Sequence, residues 1–104
     1  MGASELETVV RLGLPMVVVV YDDSAYGAEV HHFGPHGLPL ELVRFPDTDF
    51  AALARAAGAQ GITARSLEDL DGVARWLQER DGPLVVDAKI TPDFCAEWLE
   101  EAFK

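Results

Sequence analysis

The stretch "VVVVYDDSAYGAEVHHF", residues 17–33, contains four consecutive valines, an Asp-Asp pair and a Tyr-Gly step. The valines do not alternate with polar residues. They therefore predict a strand over residues 16–21 that is covered on both faces, as a central strand of a parallel sheet is. Asp22 and Asp23 follow directly, at the carboxyl end of this strand, which is where open parallel sheets bind their ligands. The stretch predicts both a buried strand and a site at its end.

Helical and extended patterns alternate around this strand. Helices are expected to begin at Ser4, at Asp47 or Thr48, at Ser66 and at Thr91, and further strands to cover residues 60–65 and 83–90. Ser4 and Ser66 each precede an acidic residue by three positions, the spacing of a capping box. The order αβ(loop)αβαβα favours an α/β fold, a small three-layer α-β-α unit with a parallel sheet of about three strands.

Apolar residues recur at helical spacing in the predicted helices. Those expected to face the core are, in chain order, Leu6, Val9 and Val10; Phe50, Leu53, Ala54 and Ala57; Leu70, Val73, Ala74 and Leu77; and Cys95, Trp98, Leu99 and Ala102. Trp76 is also expected to be a packing residue. Residues 22–46 form a long loop with one helical turn around residues 25–33, and His31, His32 and His36 are expected to be loop residues and not a metal cluster.

The charge balance limits the possible partners. Eight Lys and Arg against 18 Asp and Glu give a formal net charge of −10, which argues against nucleic acid and against an anionic membrane surface. The chain starts without the basic and apolar regions of a signal peptide, and its longest apolar run, residues 14–21, is far short of the roughly 20 residues of a spanning helix. A cytoplasmic protein is the expectation, with its single cysteine as a buried, inert thiol.

Three segments carry a family resemblance through their order and spacing: "SELETVVRLGLPMVVVVYDDSAYG" (residues 4–27), "DFAALARAAGAQG" (49–61) and "GPLVVDAKITPD" (82–93). Together they resemble the later part of the C-terminal diphosphate-binding domain of thiamine-diphosphate-dependent enzymes. Within that family the similarity is to the group of acetolactate synthase-like carboligases and 2-oxo-acid decarboxylases. The first segment is similar to the helix, strand and closing half of a magnesium motif that begins Gly-Asp-Gly and closes with Asn-Asn or Asn-Asp. Residues 1–104 would then be a partial C-terminal thiamine-diphosphate-binding domain.

The resemblance implies thiamine diphosphate and Mg²⁺ as cofactors and assigns roles to five residues. Asp23 stands where the family supplies a side-chain oxygen to magnesium, and Ala25 where it supplies a backbone carbonyl. Both are hard oxygen ligands, the kind that magnesium prefers. Asp22, Tyr26 and Gly27 stand at positions beside the diphosphate. At Asp22 the family usually has Asn. The difference matters because an ionised carboxylate accepts hydrogen bonds but does not donate them.

The Gly-Asp-Gly half of the motif and the domain that activates the cofactor are not in this sequence. The resemblance therefore implies a fragment of a thiamine-diphosphate-dependent enzyme that carries half of the magnesium-diphosphate site. Such a fragment does not bind the cofactor alone, is inactive alone and would need a complementing enzyme chain. The alternative is a small acidic self-associating or binding module that kept the fold and lost the cofactor. An open edge on the valine strand would favour a homo-oligomer.

Overall fold

The computed structural model describes residues 2–102. Its helices and strands are, in chain order, α1 (Ala3–Leu12), β1 (Val17–Asp22), α2 (Gly27–Phe33), α3 (Phe50–Ala56), β2 (Gln60–Ala64), α4 (Asp71–Glu79), β3 (Leu84–Lys89) and α5 (Glu97–Ala102), with short 3-10 helices at Gly34–His36 and Leu67–Leu70. Helices alternate with strands, which confirms the predicted α/β class. Within the stretch expected to be a long loop, α2 is the main regular element.

The three strands form one parallel sheet in the order β1-β3-β2. β2 and β3 run parallel, with Gln60 opposite Leu84 at the start of the ladder. On the other side of β3, the Leu84 N–H donates to the Met16 carbonyl (2.9 Å) and the Ile90 N–H to the Asp22 carbonyl (3.0 Å). From the first of these hydrogen bonds to the second, the residue number rises by six on both strands, so β1 is also parallel to β3.

The chain divides into two compact units. The first unit runs up to Tyr21 and continues over Asp49–Lys89, so it contains α1, most of β1, α3, β2, α4 and β3. The second unit comprises Asp22–Thr48 and the chain from Ile90 onward, and it contains α2 and α5. The Asp-Asp pair begins the second unit.

α1 and α3 cover one face of the sheet through small apolar contacts. The cluster on this face consists of Ala54, Ala59 and Val85, with Leu6, Val10 and Val20 packed against it. α3 buries Ala51 and Ala54, whereas Leu53, predicted to face the core, is 57% exposed. Alanine side chains let the helix lie so close to β2 that a Cβ on Gly61 would stand 2.4 Å from the Ala51 carbonyl oxygen. A leucine has no room at this contact.

α4 covers the other face with Trp76. This residue is 6% exposed and belongs to a cluster with Ala64, Leu84 and Val86, and its ring N–H donates to the Gly82 carbonyl (3.1 Å). Its packing role is as predicted, but the predicted inner face is wrong in part, because Leu70, Ala74 and Leu77 are exposed. Val73 and Trp76, three residues apart on α4, pack on the same cluster, so this side of the helix faces the sheet and Leu77 is left exposed.

One of the two predicted capping boxes is present. The Ser66 side chain accepts from the backbone of Asp69, and the Asp69 carboxylate accepts in return from the Ser66 N–H (3.2 Å). The Arg65 N–H also donates to this carboxylate (2.8 Å), and that bond chiefly holds the pKa of Asp69 below its usual value. The box starts the 3-10 helix from which α4 continues.

The other predicted helix starts are displaced. α1 is preceded by Gly2 and already contains Ser4, because its helical hydrogen bonds begin with the Gly2 carbonyl. α3 is capped by Asp49, whose carboxylate accepts from the Ala52 N–H (2.9 Å), and not by Asp47 or Thr48. This carboxylate reaches the third helical N–H, as an N-cap side chain does.

A buried ion pair fixes the start of α3 against the sheet. Asp87, on β3, has no exposed surface, and its Oδ2 accepts from the Phe50 N–H at 3.1 Å. The Lys89 ammonium lies 3.0 Å from the same oxygen. A buried carboxylate is tolerated when it is paired and hydrogen-bonded, and here it satisfies the first N–H of α3.

β1 does not have the covered surroundings that its valines predicted. Val17, Val18 and Val19 are 43%, 36% and 51% exposed, and Tyr21 is 79% exposed. The reason is topological, since β1 has β3 on one side and no strand on the other within residues 2–102. The central strand is β3, whose first four residues are all buried.

The last helix also differs from the prediction. α5 begins at Glu97 and is not capped by Thr91, whose hydroxyl instead accepts from the Asp93 N–H (3.2 Å) in a local turn. Trp98 is 70% exposed and does not pack as expected, and Cys95 is half-buried and not fully buried. A side-chain turn of this type competes with helix formation, which explains the later start.

Gly61→Ala is expected to lower the free energy of unfolding by about 3 kcal/mol, because a methyl group overpacks against backbone that cannot move aside. The matched control is Gly72→Ala, whose methyl would stand 2.9 Å from the flexible end of the Ile62 side chain. Alanine is also preferred to glycine inside a helix. Urea unfolding measures both variants, and equal losses would contradict this account of the α3–β2 contact.

Candidate functional site

Asp22 and Asp23 each fold back onto the loop that follows β1. The Asp22 carboxylate accepts from the Ser24 N–H (3.1 Å) and the Asp23 carboxylate from the Ala25 N–H (3.1 Å). These are Asx turns, and Ser24 between them has a left-handed backbone with φ 57°. Asp22 is only 7% exposed, whereas Asp23 is half-buried. The second carboxylate of the pair is thus the more accessible one.

The loop is pinned by a short antiparallel bridge between Ala25 and Arg44. The flanking hydrogen bonds run from the Tyr26 N–H to the Val43 carbonyl (2.8 Å) and from the Phe45 N–H to the Ser24 carbonyl (2.6 Å).

The bridge determines the direction of the Ala25 carbonyl. Ala25 takes the non-hydrogen-bonded position of the pair, so its own N–H and C=O point away from residues 43–45. Because its N–H reaches Asp23, its C=O is directed to the same side as that carboxylate. The two predicted magnesium ligands therefore face one side of the loop.

Tyr26 and Gly27 complete the turn into α2. The Tyr26 ring packs edge-on against Phe45, with ring centroids 4.8 Å apart. A Cβ on Gly27 would stand 2.7 Å from Asp23 Oδ2, so this carboxylate lies directly against the backbone at the start of the helix. Only glycine leaves room for the carboxylate in this position.

An open cleft of about 470 Å³ in the second unit contains both predicted metal ligands. Its lining consists of Asp23, Ser24, Ala25, Val30, His31, Arg44, Phe45, Pro92 and Asp93. No role in a site is predicted from the sequence for Arg44 or Asp93, and His31 is predicted to be a loop residue. The sequence contains one indication that Arg44 could belong to a site, since it is the only Lys or Arg between Arg11 and Arg55.

A second, larger groove of about 580 Å³ lies in the first unit between α1, β1 and α3, and Leu6, Val18, Val20 and Leu53 are among its mostly apolar lining residues. Among the described residues that line this groove, Glu5 is the only charged one. The groove is a packing surface and not a chemical site.

The histidines do not form a metal centre. The His32 and His36 rings lie 5.6 Å apart, and His31 lines the cleft. Over residues 2–102, no three His, Cys, Asp or Glu side chains come together as a cluster able to hold a metal ion. In the same part of the chain, no helix has the length and apolar character needed to cross a bilayer.

Comparison with known protein families identifies the family of this chain. The family model for the "Thiamine pyrophosphate enzyme, C-terminal TPP binding domain" matches residues 1–88, which include β1, the Asp-Asp loop and nearly all of β3. The chain belongs to this family, so the resemblance noted from the sequence is confirmed. Membership implies thiamine diphosphate, which is thiamine pyrophosphate under its other name, as the cofactor of the family's enzymes.

The individual relatives of this chain include acetolactate synthases and a decarboxylase. The chain is 32% identical over 89 residues to an acetolactate synthase of Bacillus subtilis, covering 86% of this chain and 16% of that protein. It is 34% identical over 85 residues to a catabolic acetolactate synthase of Raoultella terrigena, covering 82% and 15%. It is 26% identical over 102 residues to a probable pyruvate decarboxylase of Schizosaccharomyces pombe, covering 91% and 17%. The chain thus spans about a sixth of the length of these relatives.

Gly27→Ala is expected to displace the Asp23 carboxylate while leaving global stability nearly unchanged. The new methyl meets the movable end of a side chain and not backbone, so the Asp23 carboxylate moves and the fold around it stays in place. Hydrogen exchange of the Ala25 amide, which donates to Asp23, should become faster. Unchanged exchange at Ala25 together with a lower unfolding temperature would show that Gly27 serves stability and not the carboxylate.

Proposed function

We propose that this chain forms one side of the magnesium-diphosphate site of a thiamine-diphosphate enzyme acting on 2-oxo acids, an acetolactate synthase-like carboligase or a decarboxylase. Asp23 supplies a carboxylate oxygen and Ala25 a carbonyl oxygen to Mg²⁺. The observation that supports this most is the hydrogen bond that the Ala25 N–H donates to the Asp23 carboxylate, because it directs both oxygens to one side at the end of a parallel strand.

The residues present fit the metal in type and in placement. Magnesium takes hard oxygen ligands in near-octahedral geometry and shares them with phosphate oxygens and water. The space that a Gly27 side chain would occupy is taken by the Asp23 carboxylate, which favours a role for this glycine in positioning the ligand. Tyr26, packed on Phe45, holds the same turn beside the diphosphate.

Asp22 has a different role in this proposal. It is buried and its carboxylate accepts from the Ser24 N–H, so it shapes the loop and leaves Asp23 to face the ligand. Two adjacent carboxylates repel each other unless hydrogen bonds or a cation stabilise them. Each carboxylate accepts one backbone N–H in its Asx turn, and Asp23, the more exposed of the two, would in addition be stabilised by a bound cation.

The cofactor, when bound, supplies the carbanion chemistry, and the protein binds and orients it. Asp23 and Ala25 supply two of the oxygens around the ion, and the remaining ligands come from the diphosphate, from water and from other polypeptide segments. With this partial set we expect no tight cofactor binding and no carboligation or decarboxylation by the 104 residues alone. Activity requires the complementing part of the enzyme.

Paramagnetic Mn²⁺ in place of Mg²⁺ tests the metal ligands. In NMR spectra of the 104-residue protein, millimolar Mn²⁺ should broaden the amides of residues 23–25 first. Asp23→Ala should abolish this local broadening, whereas Asp23→Asn, which keeps one oxygen ligand, should weaken it. Asp81→Ala, at an exposed position in the first unit, is the matched control and should leave it unchanged. Local broadening that survives in Asp23→Ala would refute the assignment.

The open edge of β1 supports a second candidate function, self-association. Hydrogen bonds from β3 reach the carbonyls of Met16 and Asp22, and in a parallel ladder alternate residues face the same neighbour. Val17, Val19 and Tyr21 therefore direct their backbone N–H and C=O groups to the open side. An exposed apolar edge with free ladder positions is a template for another chain.

A second copy of the chain is a suitable partner for this edge. If two β1 strands pair antiparallel about Val19, Val18 stands opposite Val20 and Val17 opposite Tyr21 of the other copy. All these pairs are apolar, so no like charges oppose each other despite the net charge of −10. Such a pairing would join two sheets into one.

Val19→Lys is expected to convert a β1-paired dimer into a monomer, because a lysine on an edge strand disfavours pairing. The change brings the net charge closer to zero, so greater overall repulsion cannot explain the loss of the dimer. Leu42→Lys, at a position that is 90% exposed and outside β1, is the control and should leave association unchanged. Sedimentation velocity measures both, and a wild-type protein that stays monomeric at high concentration would contradict self-association.

A further inference from the structure

We propose that Arg44 binds an anionic phosphate oxygen of the diphosphate in the cleft beside Asp23. This inference rests on the proposed function, since it adds a protein cation to the same site. The shared chemistry is an oxyanion on a guanidinium group, and the diphosphate of the cofactor is the source favoured by the position of Arg44 in the same cleft as Asp23.

The first argument is the position of Arg44. It stands opposite Ala25 in the antiparallel bridge, and side chains of directly opposed residues project from the same face with Cβ atoms about 4.5–5.5 Å apart. Ala25 is the residue whose carbonyl is directed to the Asp23 side. Both Arg44 and Asp23 line the cleft.

The second argument is charge. Among the lining residues within 2–102, the carboxylates are Asp23 and Asp93, and Arg44 is the only Lys or Arg. A diphosphate carries more negative charge than one divalent ion neutralises, so a site that holds it beside a carboxylate needs a further cation. Arginine suits this role because its planar fork makes two parallel hydrogen bonds to a phosphate.

The third argument is preorganisation. The backbone around Arg44 is held by the hydrogen bonds of Val43 and Phe45 to the Asp-Asp loop, and the Phe45 ring packs against Tyr26. The arginine therefore projects from a segment that moves with the proposed metal ligands. An anchored cation loses less conformational freedom when it binds an anion than one on a mobile loop.

The test is an NMR titration of the 104-residue protein with millimolar inorganic pyrophosphate in the presence of Mg²⁺. Pyrophosphate should shift the amides of residues 24–25 and 44–45. Arg44→Gln should raise the dissociation constant at least about tenfold, the size of a lost charge-assisted hydrogen bond. Arg44→Lys should have a dissociation constant between those of the wild type and Arg44→Gln, because lysine keeps the charge but lacks the planar fork of the guanidinium group. Arg75→Gln, exposed on α4, is the control with the same charge change.

Pyruvate titrated under the same conditions separates the two sources of oxyanion. If pyruvate binding depends on Arg44 and pyrophosphate binding does not, the cleft holds a substrate carboxylate and the diphosphate assignment is overturned. Equal pyrophosphate affinity in Arg44→Gln and the wild type, or no pyrophosphate binding by the wild type, also overturns it.

The Mn²⁺ experiment separates this failure from failure of the proposed function. Local Mn²⁺ broadening at residues 23–25 without any Arg44 effect on pyrophosphate would refute the Arg44 inference alone. Arg44-dependent pyrophosphate binding without local Mn²⁺ broadening would refute the metal site and leave Arg44 as an anion-binding residue.

Discussion

The point at which β1 leaves the sheet determines where the candidate site forms. The last rung of its ladder is the hydrogen bond from the Ile90 N–H to the Asp22 carbonyl. β1 ends at Asp22, and the carboxylates of Asp22 and Asp23 accept from the N–H groups of Ser24 and Ala25 in two successive turns. Because the ladder stops there, the Ala25 segment is free to pair with Arg44. The cleft is thus a direct consequence of strand termination.

The two faces of the sheet in the first unit are packed differently. Ala51 and Ala54 allow α3 to contact β2 at Gly61, while the larger side chains of Trp76, Leu84 and Val86 pack together on the opposite face. Asp87 joins this packing by accepting from the first N–H of α3. The contact between α3 and β2 requires small residues on both elements. A larger side chain at Gly61 would push the helix away from the strand.

The sequence predicted the features that depend on neighbouring residues. The strand bounds came within one residue, and the Ser66 capping box and the place of the Asp-Asp pair at the carboxyl end of β1 were correct. Features that depend on which elements meet were harder to predict. The valine run has the composition of a central strand, yet the strand order leaves it at an edge. Trp98 shows helical spacing, but no local signal says whether a surface lies opposite it. Arg44 reaches the cleft only through a bridge between distant segments.

The strand order also determines when the sheet can form during synthesis of the chain. β3 is the central strand of the sheet but the last of the three to leave the ribosome. Until residues 84–89 emerge, neither β1 nor β2 has its partner, and the valine strand waits unpaired while more than half of the chain is made. Unpaired apolar strands on nascent chains are prone to misassembly. Within residues 2–102 the sheet therefore forms only after β3 has been made, and a chain that ends before residue 84 would contain β1 and β2 without the strand that joins them.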